Sequence, residues 1–471
     1  MLRRVVVALA IAALLAGCSS HPTPDTPPAA PSVTGIGDPY YPLDGGVGID
    51  VAKYRIRDAY AFDTGALSGT TTLTITATSR LTSFSLDFLL PVAEVQLSTG
   101  AATYSQETEH ELVITPDKPI EKSARFRVTV TYAGTPADVD YLDDNNWHAD
   151  AHEVVTVDEP HMAPWWFPAN DHPSDKARMD ISITVPDGNE VVSNGALVAR
   201  TPGDGTTTFR WRADEPMATY LAFFAAGLFT VTSGTTSDGI GWVNAVSQQG
   251  TDREQRDAQR MVAKTPGYVS WLASKLGPYP FAQTGGVISS LDVGFSLETQ
   301  TRPVYGFFVP LHYDPLLVHE LAHQWFGDAV SVERWQDVWL NEGFATYMQW
   351  AYAEDHGGPS AQAQLGTSYG SHQDGSEFWD LSIGRPDPDD LFANPVYERG
   401  AMTLQALRNR IGDDTFWDLL RTWVSQHKYA NATTDDFIAL AEAASGEDLA
   451  AFFKVWVYAG ARPDRTAANG L

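Results

Sequence analysis

From about Gly46 to Asp238, apolar and polar residues alternate in short runs rich in β-branched side chains. TTTLTITATS at 70–79, RFRVTVTYAG at 125–134, MDISITVP at 179–186 and TTTFRWRA at 206–213 show this best. A period of two puts successive side chains on opposite faces, as half-buried strands require. Turn residues punctuate the runs, as in PDG at 186–188 and SNG at 193–195. The pattern predicts an all-β, sandwich-like domain of two packed sheets over 43–238.

From about Trp242 the period lengthens to that of helices. A helical stretch within 261–277 ends at Gly277, and a short mixed run, GGVISSLDV at 285–293, follows it. Asp314-Pro315 offers a capping side chain followed by proline at the first helical position, so a helix is predicted from there through His323 and Trp325 to Gly327. A second is predicted over about Gln336–His356, stopped by Gly357-Gly358. After Tyr397 come four more, at about Glu398–Ile411, Asp414–Gln426, Asp435–Ala444 and Asp448–Tyr458. The expected fold class is therefore α+β and multidomain, with a mainly helical domain over 239–471.

Composition narrows the function. A chain of 471 residues exceeds one ordinary core, and 43% hydrophobic residues suffice to build two. The net charge of −28 repels phosphate backbones, so nucleic acid is not an expected partner. The N-terminus changes the picture more. Arg3 and Arg4 precede an apolar run from Val5 to Leu15, then Ala16, Gly17 and Cys18, the chain's single cysteine. This has the layout of a signal peptide over 1–18, too short to span a bilayer permanently. LAGC resembles the bacterial lipobox, which implies lipidation of Cys18 and anchoring on the extracytoplasmic side of a bacterial membrane. Residues 19–42 are rich in Pro, Ser, Thr and Gly and read as an extended tether.

The stretch that carries chemistry is HELAHQWFGDAVSVERWQDVWLNE, from His319 to Glu342. Residues four apart share a helix face, so His319 and His323 can present their imidazoles to one metal ion. Two neutral histidines suit Zn²⁺, and a carboxylate third ligand leaves a position open for water. Glu320, turned off the ligand face, can take a proton from that water. A chance HExxH is expected only about 0.01–0.02 times in a chain of this composition. Glu342 follows His323 after eighteen residues; by spacing alone it is either the third ligand or an ordinary helix carboxylate.

HELAHQWFGD, the eighteen-residue gap and WLNEGFATY together resemble the aminopeptidase N-like gluzincin zinc peptidases, a family that includes leukotriene hydrolase. Further segments are similar to that family: GDPYYP at 37–42, WFPANDHPSDKA at 166–177, VSNG at 192–195, VYERGA at 396–401 and FFKVWVYAGARP at 452–463. The resemblance implies a thermolysin-like catalytic domain with a small mixed sheet, and one Zn²⁺ held by His319, His323 and Glu342. It implies Glu320 as general base and Tyr397 as the hydroxyl that stabilises the tetrahedral intermediate. The family's Gly-x-Met-Glu-Asn signature corresponds to Gly294–Thr299 with one extra residue, Leu for Met and Thr for Asn. Glu298 then falls at the carboxylate that binds a substrate's free α-ammonium, and Glu159 is a candidate second one. Larger members continue with a helical domain over the site, so a more open cleft is expected here.

The function implied is hydrolysis of the N-terminal peptide bond of peptides with a free N-terminus. Two other readings share these residues: a thermolysin-like endopeptidase without amine recognition, and a non-catalytic peptide-binding lipoprotein.

Overall fold

The computed structural model describes residues 35–108, 110–142, 144–306 and 314–471. The leader, Cys18 and residues 19–34 of the expected tether lie outside the described residues.

The first half is β. A seven-stranded sheet runs in the order Ala196–Pro202, Thr206–Met217, Ala177–Pro186, Ile49–Ala61, Ala66–Ala77, Arg125–Gly134 and Val92–Leu97. Ile49–Ala61 and Ala177–Pro186 pair in parallel; the other neighbours are antiparallel. The alternation seen in the sequence is the burial alternation: Val51, Tyr54, Ile56, Leu73, Ile75, Val128 and Val130 all face the core. Each such side chain contributes about 1.5–3 kcal/mol on burial.

Two smaller sheets complete this half, so three sheets stand where two were expected. One joins Phe84–Asp87, Glu111–Pro116 and Ala102–Thr108; the other joins Glu190–Ser193, Phe224–Gly227, Glu153–Val155 and His148–Ala149. Several of their strands have four residues or fewer and are buried throughout, so they show no alternation to read.

A five-stranded mixed sheet opens the second half, ordered Phe229–Thr235, Gly241–Ser247, Gln283–Ile288, Val304–Tyr305 and Ser296–Leu297. Its first strand lies upstream of the change of pattern at Trp242. The helices are α1 (Asp252–Val262), α2 (Thr265–Leu276), α3 (Asp314–Ala322), α4 (Trp339–Asp355), α5 (Ala361–Ser371), α6 (Glu377–Asp380), α7 (Asn394–Ile411), α8 (Asp413–His427), α9 (Thr434–Ser445) and α10 (Ala450–Phe453). No helix among the described residues is long and apolar enough to cross a membrane.

Capping explains several helix ends. Thr251 and Thr433 form capping boxes with Glu254 and Asp436. Pro395 sits in the first turn of α7 and Gly412 ends it. The helix predicted to Gly327 ends its regular turns at Ala322, although His323 N still bonds His319 O. The two histidines therefore keep their i, i+4 relation. α7 begins earlier than predicted, so Tyr397 lies inside its first turn.

Part of the expected tether is not a tether. Gly35 onwards is docked: Asp38 is 3% exposed, and its carboxylate meets His172 Nε2 at 3.1 Å and the Trp335 amide at 3.2 Å. The Tyr40 hydroxyl donates to Pro386 O. The glycines and prolines that read as tether are, from Gly35 on, turns of a segment packed against both halves.

Candidate metal centre

α3 and α4 cross with His319, His323 and Glu342 facing one another, all at most 8% exposed. Glu342 Oε2 lies 3.2 Å from His319 Nε2 and 3.4 Å from His323 Nε2. Ligands about 2.0–2.1 Å from a tetrahedral Zn²⁺ stand about 3.3 Å apart, so these atoms have the spacing of ligands around one ion. The His323 Nδ1–H donates to Phe326 O at 3.0 Å, which leaves Nε2 as the lone-pair nitrogen that a metal needs. Burial disfavours the Glu342 carboxylate, but the two imidazoles outweigh it and hold its pKa down at about 2. Donor type, spacing and tautomer all fit Zn²⁺.

Glycine permits a second crossing, of α4 with α7. A Cβ on Gly343 would lie 2.7 Å from Gly400 Cα, and one on Gly400 would lie 2.6 Å from Gly343 Cα. The glycines of NEGF and YERGA thus touch back to back, bringing α4 and α7 together. That contact delivers Glu342 from one side and Tyr397 from the other. The Tyr397 ring stacks near His319, with centroids 6.0 Å apart and planes at 21°. Beside Tyr397, Arg399 is fully buried and donates to five backbone carbonyls, of Trp379, Leu381, Val455, Trp456 and Ala459. It ties α7 to the closing WVYAG segment.

Glu320 follows His319 and is 4% exposed. Burial pushes its pKa well above the ordinary carboxylate value; His323 opposes this, and Glu298 and Glu342 add to it. Such a carboxyl is held ready to exchange a proton.

Glu298 follows the edge strand Ser296–Leu297 and is 2% exposed. Its loop is clamped from two directions. Gln324, next to His323, donates to Glu298 O at 2.9 Å and accepts from the Thr301 amide at 2.7 Å. From the β half, Asn194 donates to Gln300 O at 2.9 Å, and Thr301 Oγ1 accepts from the Gly195 amide at 2.8 Å. Arg302, fully buried, reaches the carbonyls of Ser193, Gly195 and Val243. The SNG segment that read as a turn is therefore a brace for the Glu298 loop.

Glu159 comes from the β half and is partly buried. Oxygens of Glu159, Glu298 and Glu342 come within 4.8 Å of one another. One oxygen each of Glu159 and Glu298 is buried without a hydrogen-bond partner. Burial raises the pKa of both, and for Glu159 repulsion from Glu298 and Glu342 adds to it. A cavity of about 630 Å³ opens here, lined by Glu159, Glu298, Glu320, Tyr397 and the three metal-facing residues. The structure thus brings all seven residues singled out in this region to one cavity.

Three residues here escaped the sequence reading: Gln324, the Asp158 that lines the cavity, and Tyr305. The Tyr305 hydroxyl is buried without a hydrogen-bond partner; burial raises its pKa, and the nearby Glu320 charge adds to this. Only Gln324, inside the metal motif, had a positional signal.

Two family models match the chain: the Peptidase M1 N-terminal domain over residues 52–221 and the Peptidase family M1 domain over 312–456. The chain belongs to peptidase family M1. Among M1 relatives, aminopeptidase M1 of Arabidopsis thaliana is 28% identical over 324 residues, and aminopeptidase N of Lactococcus lactis subsp. cremoris is 28% identical over 348. These matches cover 64% and 67% of this chain but only 36% and 39% of the relatives, so the chain spans little more than a third of their length. A solved M1 zinc metallopeptidase from Deinococcus radiodurans matches with a TM-score of 0.80 at 25% identity, covering 92% of this chain and 99% of that one. A mutant of the Deinococcus enzyme, bound to a Tyr-Ser-Ala substrate, matches with a TM-score of 0.79 at 26% identity, covering 93% and 100%.

Proposed function

We propose that this M1 protein is a zinc-dependent aminopeptidase that removes the first residue of peptides. One observation carries the reading: Glu159 and Glu298 stand beside the metal ligands with buried oxygens that no protein group bonds. Two carboxylates left unneutralised at a cavity wall form a socket for a cation. A peptide's α-ammonium supplies three donors and the positive charge, and its capture places the first peptide bond next to the metal. An endopeptidase has no use for such a socket, and a scaffold has no use for Glu320. The solved neighbours that hold a Tyr-Ser-Ala substrate, L-tryptophan or L-arginine support a short peptide as substrate.

Zn²⁺, when held by His319, His323 and Glu342, supplies a Lewis acid that lowers the pKa of water and polarises a carbonyl. Glu320 accepts the proton of the attacking water and delivers it to the leaving amine. The Tyr397 hydroxyl donates a hydrogen bond to the oxygen on which negative charge develops. Glu298 and Glu159 hold the first residue in register throughout. The test is a panel of aminoacyl arylamides with and without a chelator. The expected result is hydrolysis that a chelator abolishes and zinc restores; hydrolysis indifferent to chelation would sink the proposal.

Lipidation at Cys18 would hold the enzyme on the outer side of a bacterial membrane, where short peptides arrive. The support is the charged start, the short apolar run and LAGC. Cell fractionation decides it: Cys18→Ser should move the protein from the membrane to the soluble fraction, and an unchanged distribution argues against the anchor.

A further inference from the structure

A second group of metal-type ligands lies in the β half. Asp44 comes from the docked segment before the first strand, Asp87 ends the strand Phe84–Asp87, and His110 immediately precedes Glu111–Pro116. Each is 1% exposed. His110 Nε2 lies 3.0 Å from Asp87 Oδ1 and 3.6 Å from Asp44 Oδ1, and the three ligand atoms fall within 4.8 Å of one another. We propose that Asp44, Asp87 and His110 form a second, structural divalent-metal site of Zn²⁺ type.

Direction matters more than distance here. His110 Nε2 and Asp87 Oδ1 are close enough for a hydrogen bond, yet neither makes a well-aligned one, nor does Asp44 Oδ1 at 3.6 Å. Atoms that approach without pointing at each other are what two ligands of a common ion look like. Their separations bracket the roughly 3.3 Å edge of a tetrahedral site with bonds of about 2.0–2.1 Å.

The outward-facing oxygens are already satisfied. Asp44 Oδ2 pairs with His161 Nε2 at 2.6 Å. Asp87 Oδ2 accepts from the amides of Gly45 at 3.2 Å and Asp171 at 2.6 Å. Each carboxylate is thus oriented by partners on one oxygen while the other faces His110, the arrangement that orients metal ligands.

Charge points the same way. Glu111 is 1% exposed and directly opposite Asp87 in the strand register. Like charges opposite each other across strands repel. Glu111 has no well-formed hydrogen bond on either oxygen; burial and the Asp87 charge raise its pKa, and His110 and the Ser85 hydroxyl offset this only in part. A divalent cation held by Asp44, Asp87 and His110 would offset this repulsion. It would clamp the docked N-terminal segment onto the three-stranded sheet.

The experiment measures zinc per chain by mass spectrometry on the full protein, loaded with Zn²⁺ and desalted. Two ions are expected in the wild type. One is expected in His323→Ala, which lacks the catalytic ligand, and one in His110→Ala. In His323→Ala, added Zn²⁺ should still raise the melting temperature, and Asp87→Asn on that background should abolish the shift. Should His110→Ala fail to fold, Asp44→Asn and Asp87→Asn keep the side-chain shape and serve instead. A single ion in the wild type with none in His323→Ala would overturn the site. So would a second ion that persists in both Asp87→Asn and His110→Ala, since that ion is held elsewhere. Because His323→Ala removes only the catalytic ion, the result is independent of the proposed peptidase activity.

Discussion

Glu320 shows how one residue's surroundings decide its chemistry. It is buried, its pKa is raised, and it sits next to a ligand without itself being needed as one. Replacing it with Gln keeps the shape and removes the proton acceptor. The expected outcome is a fall in kcat of about 10²–10⁴, the usual range for a positioned acid–base group, with zinc content unchanged. Measured kcat together with metal analysis checks this; full activity in Glu320→Gln would remove the residue from the reaction. At this scale the sequence was most legible where chemistry is local. His319, Glu320 and His323 occupy neighbouring turns, so spacing alone placed them. Glu298 and Glu159 needed the resemblance, because they lie 139 positions apart and a strand, a loop and another half of the molecule bring them together.

Among the elements, the contact between α4 and α7 matters most to the site. Gly343 and Gly400 let two helix backbones meet, and Glu342 and Tyr397 ride on those helices next to them. Gly343→Ala inserts a methyl where Gly400 backbone stands at 2.7 Å. Overpacking of this kind costs about 1–3 kcal/mol. The helices must part, and Glu342 must move away from the imidazoles. The variant should therefore lose stability in urea and also bind zinc more weakly in a chelator competition. Wild-type zinc affinity in Gly343→Ala would show that the crossing does not set the ligand geometry. Elements were readable from the chain where the helical period ran long, as in α4 and α8, or where caps reinforced it, as in α9. They were unreadable where the period was interrupted or absent. α5 carries Gly366 and Gly370 within its length, which weakens the helical signal, and the four-residue buried strands carry no period at all.

Across the whole molecule, the β half does more than cover the catalytic half. It contributes Glu159 to the cavity, braces the Glu298 loop through Asn194, Gly195 and Arg302, and sends Lys176 to the carbonyls of Asp328 and Ala329 at 2.7 and 3.1 Å. Burial pushes the Lys176 ammonium down to about 7, against the pull of Asp328. Asp38 joins the N-terminal segment to both halves in the same way. None of these links was visible in composition: a Gly/Pro-rich stretch read as tether gives no sign that one aspartate within it is anchored at both ends. The proposed amine socket is assembled from both halves, and on that proposal it would turn a metal centre into a peptidase that reads a free N-terminus. The direct measurement compares kcat/KM for leucyl arylamide and its N-acetyl derivative on the zinc-loaded protein. Loss of a buried charge partner costs about 2–5 kcal/mol, so the free amine should be preferred by at least about 30-fold. Equal rates on the free and acetylated substrates would contradict the account.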